Sequence, residues 1–328
     1  MLVSKYPLYY LTWNVTNRCN LKCRHCYATS GETEYENELT AREVLSVIDD
    51  AVKLGLRYVL LTGGEPLLRS DLFEIGASIK KRGLKVFLST NGTLLNKENT
   101  HKLLPIVDHI NVSLDAATPE VHDSIRGVKG SFDLTLNGIR VALAAGIRVV
   151  VSMTVHDDNL DEVYGVCKIC EELGAPLLIK RYVPVGRGRK SGVTLSKTSY
   201  KRLCGIVDEL TARGFDIIFK DPLYISRRKQ IGNKIGGCLA GIHILSIGHN
   251  GDIFPCTKLH FPLGNIRNDS LKDIWLNNET LHKFRERKLF GKCGKCFLKY
   301  QCGGCRAAAY GEYGDPFASD PLCLENFN

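Results

Sequence analysis

The chain has 328 residues, 44% hydrophobic and 24% charged, with 44 Lys and Arg against 35 Asp and Glu for a formal charge of +9. That is enough apolar material for one large α/β barrel, or for a barrel with a smaller companion domain, and no apolar run approaches the ~18–20 residues of a membrane span. The 13 cysteines are many for a reducing compartment, where clustered thiols point to metal or catalysis and not to a disulfide framework.

The first stretch, MLVSKYPLYYLTWNV, has one lysine, then a strand-like run and no small-residue cleavage site. It does not read as a signal peptide, and the cytoplasm is the expected location. Short β-rich runs recur at 9–15, 57–63, 85–90, 109–114, 148–155 and 177–183. Between them, 40–55 has helical spacing, with Thr40 as N-cap, Glu43 three residues on and Gly55 as the stop. Segments 71–82, 132–145 and 159–173 behave alike, each halting near a glycine. Strands alternating with helices predict a parallel sheet, closed as a partial, TIM-like (β/α)6 barrel, with a doubly wound sheet as the alternative. Either fold carries its chemistry at the C-terminal strand ends. A basic, Gly-rich linker (186–195), a helix and one more strand follow by 219, and from 238 onward seven cysteines suggest a small domain tied by metal. The expected units are 1–190, 191–237 and 238–328.

Cys19, Cys23 and Cys26 follow the first strand with spacing C-x3-C-x2-C. A tetrahedral zinc site needs four ligands, which would press His25 into service beside its neighbours. A [4Fe–4S] cube held by three thiolates keeps one iron free, the better fit at a catalytic face. The second strand runs into Thr62-Gly63-Gly64-Glu65-Pro66, the third into Ser89-Thr90-Asn91-Gly92, the fourth into Ser113-Leu114-Asp115, and Arg126 follows. Each has an ordinary reading as a turn or a solvated charge. After successive strands of one barrel, they match a ligand with amine, carboxylate and ribose.

These motifs, C-x3-C-x2-C with Tyr27, GGEP and SLD, resemble the radical S-adenosylmethionine (SAM) superfamily over roughly residues 8–190. The resemblance implies that Cys19, Cys23 and Cys26 hold a cluster whose free iron chelates SAM, and that its reductive cleavage yields a 5′-deoxyadenosyl radical. It places Tyr27 near the adenine and Gly63, Gly64 and Glu65 at the methionyl amine. Ser113 and Asp115 fall near the ribose, with Ser89 and Asn91 beside it, and Arg126 near the carboxylate. An electron donor such as ferredoxin or flavodoxin is implied, and neither nucleic acid nor membrane is expected as a partner.

The C-terminal set, Cys238-x12-Gly251-x4-Cys256, then Cys293-x2-Cys296-x5-Cys302-x2-Cys305 and Cys323, resembles the SPASM domain, a carrier of two auxiliary [4Fe–4S] clusters. Zinc ribbons share the paired CxxC signature. By the resemblance Cys293, Cys296, Cys302 and Cys323 hold a distal cluster, and Cys238, Cys256 and Cys305 a proximal one. The x2 spacing between Cys302 and Cys305, where x3 is commoner, leaves a swap of those two open. The proximal set lacks a fourth cysteine, leaving an open iron, His243, His249 or the substrate for that place. With ten thiolates around three dicationic clusters the net charge falls to about +5. Cys167 and Cys170 form a CxxC inside a helix and read as buried thiols, and Cys204 lies on another.

Enzymes with this pairing modify peptides or trim tetrapyrroles. Only eight or so residues precede the first strand, which leaves no room for a peptide-recognition domain. Lys180, Arg181, Arg187, Arg189 and Lys190 suggest a basic lip suited to several carboxylates, or equally a solvated linker. The ending CGGCRAAAYGEYGDPFASDPLC resembles radical SAM enzymes of alternative haem synthesis. Oxidative decarboxylation or side-chain modification of a tetrapyrrole is the expected reaction. A peptide maturase like the anaerobic sulfatase-maturating enzymes is the rival. A non-enzymatic iron–sulfur electron carrier would leave GGEP and SLD idle.

Overall fold

The computed structural model describes residues 5–31, 37–227 and 237–324. Strands β1 (Tyr10–Thr16), β2 (Tyr58–Gly63), β3 (Lys85–Thr90), β4 (His109–Ser113), β5 (Val149–Val155), β6 (Leu177–Arg181) and β7 (Ile217–Phe219) lie side by side in chain order, all parallel. Helices α1 (Ala41–Lys53), α2 (Leu72–Lys81), α3 (Lys97–Leu103), α4 (Pro119–Arg126), α5 (Ser131–Ala144), α6 (Val163–Leu173) and α7 (Lys197–Ala212) form the crossovers. Covered on both faces, the strands are rich in Val, Leu and Ile, and β5 is buried along nearly its whole length. Thr40 and Glu43 close a reciprocal capping box on α1, as their spacing predicts.

The expected helix over 159–173 begins as a 3-10 turn, Asp157–Glu162, because Asn159 is occupied elsewhere. Its side chain accepts from His156 N (2.8 Å) and donates to the Asp115 carbonyl (2.8 Å), binding the end of β5 to the end of β4. Cys167 and Cys170 sit buried on α6, and Cys204 on α7.

A short helix α8 (Pro222–Arg227) precedes the C-terminal region. That cysteine-rich region is joined to the barrel through the sheet. Its first strand, β8 (Ile244–Ile247), pairs in parallel with the outer edge of β1, Tyr10 opposite Ile244 and Trp13 opposite Ile247. Strands β9 (Asp252–Phe254) and β10 (Gly264–Asn265) extend the same sheet antiparallel, giving ten strands in the order β10-β9-β8-β1-β2-β3-β4-β5-β6-β7. An unpaired β1 edge would leave backbone groups unsatisfied, and β8 satisfies them. Four residues are too few for alternation to announce a strand. Helices α9 (Leu271–Asn277), α10 (Glu279–Arg285), α11 (Gly291–Lys295) and α12 (Arg306–Tyr313) follow. Trp275 on α9 is fully buried and donates to the Tyr6 carbonyl at 2.9 Å, so the core runs unbroken from barrel to C-terminus. Among the described residues no helix is long and apolar enough to cross a membrane.

Candidate active site and cluster sites

The loop carrying Cys19, Cys23 and Cys26 leaves the C-terminal end of β1 and is clamped by backbone from three sides. From the end of β2, Gly64 N donates to Thr16 O (2.8 Å) and Glu65 N to Arg18 O (2.8 Å). At the end of α4, Arg126 O accepts from Lys22 N (3.0 Å) and Ile125 O from Arg24 N (2.9 Å). After β6, Arg187 N donates to Cys26 O (2.9 Å), while its guanidinium reaches Cys23 O (3.0 Å) and Ser30 O. Glycine is required where these clamps touch. A Cβ on Gly64 would stand 2.1 Å from Arg18 O, and one on Gly186, at φ +60°, 2.2 Å from Tyr27 O.

The three cysteines line a cleft of about 970 Å³, its mouth included, across the C-terminal ends of the strands. Tyr27, Gly63, Gly64, Ser89, Asn91, Ser113 and Arg126 line it with them. Glu65 and Asp115, expected at the ligand, do not. Glu65 is fully buried; Oε1 accepts from Thr90 Oγ1 (2.8 Å) and Leu67 N (3.1 Å), Oε2 from Asn91 N (2.8 Å). Burial pushes its carboxyl up to about 7 against those donors. Asp115, equally buried, accepts from Thr154 N (2.9 Å) and faces Arg126 Nη2 at 2.7 Å and His25 Nε2 at 3.4 Å. Burial alone would raise its carboxyl, but Arg126 and then His25 hold it at about 2. Both carboxylates are spent on protein donors, and they aim the groups that do face the cleft. Arg126, so held, also donates to Cys23 Sγ at 3.7 Å. Burial drops His25 to about 3, against the pull of Asp115.

The basic lip divides. Lys180 lines the cleft, and burial, then Lys258, brings its ammonium down to about 8. Arg181 is buried and paired with Asp221 (2.8 Å) and Asp320, Arg187 serves the loop clamp, and Arg189 and Lys190 are exposed away from the cleft wall. Lys258, two residues past Cys256, lines the cleft and was not anticipated; its proximity to a candidate ligand was the only signal.

The C-terminal thiols sort into two sets. Cys293, Cys296, Cys302 and Cys323 surround one cavity, closed on the barrel side by Tyr200 and Leu223. Backbone N–H groups point at the sulfurs: Leu298 to Cys296 (3.3 Å), Gly304 to Cys302 (3.3 Å) and Asp320 to Cys293 (3.5 Å), with fully buried Arg306 on Cys293 at 3.7 Å. Cys256 lies among Cys238 and Cys305, and Cys305 beside Arg181 and Cys238. Cys302 therefore stands with the set of four and Cys305 with the set of three. Cys238 N donates to Cys302 O (3.0 Å), joining the sets. The His243 ring is engaged by the Pro7 carbonyl (2.9 Å) and stacks on Tyr9 at 5.1 Å, while His249 sits among Glu38 and Asp252.

The Radical SAM superfamily model matches residues 13–169, and the SPASM model, an iron–sulfur cluster-binding domain, matches residues 238–297. The chain is 36% identical over 335 residues to the AdoMet-dependent heme synthase of Methanosarcina barkeri, covering 96% of this chain and 95% of that one. This chain belongs to the radical SAM superfamily. The radical SAM enzyme is also 32% identical over 326 residues to the mycofactocin maturase MftC of Mycobacterium tuberculosis, covering 96% and 82%. Its fold matches the crystal structure of Streptococcus suis SuiB bound to S-adenosylmethionine with a TM-score of 0.79 at 20% identity, covering 98% and 78%. It matches native anSMEcpe with bound AdoMet at 0.75 and 20%, covering 97% and 94%.

A radical SAM oxidoreductase with a SPASM region has an iron–sulfur site that binds S-adenosylmethionine and auxiliary iron–sulfur chemistry. The donors here fit both. Three thiols from one clamped loop leave one side open to the cleft. Burial pushes Cys19 up to about 12 and Cys23 upward, an environment that leaves thiols protonated unless a metal takes them as thiolates. Around the set of four, N–H groups and Arg306 supply the donors that anionic cluster sulfurs need. Among the described residues, no three His, Cys, Asp or Glu groups converge on a single metal ion. The set of four encloses a cavity, the arrangement a multi-iron cluster needs.

Proposed function

We propose that this enzyme oxidatively decarboxylates propionate-type side chains of a tetrapyrrole, in the manner of haem-type cofactor synthesis. In this reading Cys19, Cys23 and Cys26 hold the [4Fe–4S] cluster that binds S-adenosylmethionine. Cys293, Cys296, Cys302 and Cys323 hold a distal auxiliary [4Fe–4S] cluster, and Cys238, Cys256 and Cys305 a proximal one. One observation carries the substrate class: beyond Arg126, which serves the cofactor, the cleft wall bears Lys180 and Lys258 and, among the described residues lining it, no Asp or Glu. Clustered, half-desolvated cations favour a ligand with several carboxylates and repel one without compensating charge.

When bound, S-adenosylmethionine at a reduced cluster supplies the radical that removes a substrate hydrogen. The chain's own residues do the rest. Arg126, fixed by Asp115, leaves the cofactor carboxylate a partner whose direction cannot drift. Ser89, Asn91 and Ser113 offer hydroxyl and amide groups to a ribose. Lys180 and Lys258 hold a substrate carboxylate beside the carbon that loses hydrogen. The carbon radical would then lose carbon dioxide to become a vinyl group, and the electron released would pass to an oxidised auxiliary cluster held by Cys238, Cys256 and Cys305. The relatives in Methanosarcina barkeri and Dinoroseobacter shibae, named AdoMet-dependent heme synthase and pre-heme d1 synthase, support a tetrapyrrole, and MftC keeps a peptide as the rival.

The test is anoxic turnover of reconstituted enzyme with S-adenosylmethionine, dithionite and iron coproporphyrin III. Porphyrin-stimulated 5′-deoxyadenosine with loss of carbon dioxide from the porphyrin is expected. Lys180→Met should lower kcat/KM about tenfold or more while leaving unstimulated deoxyadenosine unchanged, with partial rescue by Lys180→Arg. An unchanged porphyrin with slow, unstimulated deoxyadenosine would overturn the tetrapyrrole reading in favour of a peptide.

A further inference from the structure

Hydrophobic side chains that remain exposed in a group, with charges of one sign interleaved, mark a contact surface. Phe290, Phe297 and Tyr300 are 63%, 79% and 55% exposed and fall within eleven residues of chain. Lys292 and Lys295 are exposed between them, and Lys299 lies over the Tyr300 ring at 5.1 Å. From 287 to 311 the chain has no Asp or Glu. Lys292 and Lys299 also line the cavity of the four-thiol set, and the exposed aromatics lie on the same segment beside two of its thiols, Phe297 next to Cys296 and Tyr300 two residues before Cys302, a basic and aromatic lip.

We propose that this lip is the docking surface of a small acidic one-electron carrier protein. Three arguments select that occupant. The lysines complement an acidic partner and, on a stretch without Asp or Glu, steer its approach. Exposed aromatics flanking the charges supply the short-lived apolar contact typical of weak redox encounters, which bury little surface. The cavity behind the lip places the distal thiols at the contact, and the Cys238–Cys302 backbone hydrogen bond links them inward to the three-thiol set. The carrier is oxidised by one electron and the iron–sulfur group behind the lip is reduced by one; no bond forms and no proton moves. The proposal rests on the four-thiol set holding a cluster, which the iron content of the purified protein tests by itself. It is independent of the tetrapyrrole reading.

The test uses the reconstituted holoenzyme and a bacterial flavodoxin kept reduced by its NADPH-dependent reductase. Flavodoxin should bind the wild type, weakening at least fivefold as salt rises from about 0.05 to about 0.3 M. Lys295→Glu, and separately Phe297→Ser, should each weaken binding about fivefold or more and lower flavodoxin-driven deoxyadenosine formation, with dithionite-driven formation within twofold of wild type. Both side chains are exposed, and iron content and the visible spectrum verify that each variant keeps its clusters. Absence of flavodoxin binding by the wild type, or binding that neither variant weakens, overturns the proposal. Loss of single-stranded oligonucleotide binding in the variants, with flavodoxin unaffected, would assign the lip to nucleic acid instead.

Discussion

Glu65 is held by opposing forces, and their balance is measurable. Three donors favour its carboxylate and complete burial opposes it, so the folded group titrates near 7, above its ordinary 4.5. With a raised folded value, the native state binds the extra proton between those limits. Stability from this group is therefore present below about 4.5 and is lost as pH rises through about 7. Glu65→Gln should flatten that decline in anoxic thermal unfolding followed from pH 5.5 to 7.5. It should also cost about 1–3 kcal/mol at the acid end, because an amide NH2 would face a backbone donor. A slope unchanged from wild type would show that Glu65 does not titrate in this window. The glutamate was legible in GGEP as a residue that accepts hydrogen bonds. Its donors were not, since Thr90 and Asn91 reach it from β3 and sequence spacing carries no information on which strand end leans over which.

At the scale of elements, the cysteine loop shows why a motif needs a frame. Its thiols are set by spacing, but its path is set by β2, α4 and the turn after β6, which meet it through main-chain bonds. The glycines of GGEP read as room for a ligand; Gly64 is equally room for the loop backbone. Gly186 lies some 160 residues away and had no visible connection to the motif. Gly186→Ala joins a left-handed φ to a 2.2 Å approach on Tyr27 O, whereas Gly83→Ala, at φ +75°, meets nothing within 4 Å. The first should cost about 2–3 kcal/mol and lower bound iron by up to about four per chain, the second about 1 kcal/mol with iron unchanged. Equal iron in the two variants would remove the turn from the clamp. The basic lip failed at this scale for a related reason: consecutive charges on a strand and turn point in different directions, so only Lys180 of the five reaches the cleft.

Across the whole molecule, barrel and C-terminal region share one sheet and one core, and Arg181 ties them at a buried point. Its guanidinium on β6 meets Asp221 before α8 and Asp320 near the chain end, and Asp320 in turn accepts from Cys305 N at 2.6 Å. Arg181→Met would strand two buried carboxylates, a loss of about 3–5 kcal/mol, with Cys305 released from its anchor. Anoxic unfolding should show the loss, and auxiliary-cluster signals should weaken before those of the first site. Equal stability would place the coupling in the shared sheet and core instead. Repeating strands and helices determined a parallel sheet, because each crossover helix returns the chain to the same end, but left a barrel and a doubly wound sheet both open. The cysteine spacings marked the thiols that belong to iron–sulfur sites, because thiol number and separation within a loop are local properties. Only the tertiary structure decided that β8 completes the barrel edge, that Cys302 and Cys305 face different sets, and that Lys258 joins Lys180 at the cleft. These are contacts between segments distant along the chain, where packing and hydrogen-bond satisfaction, and not local spacing, select the neighbour.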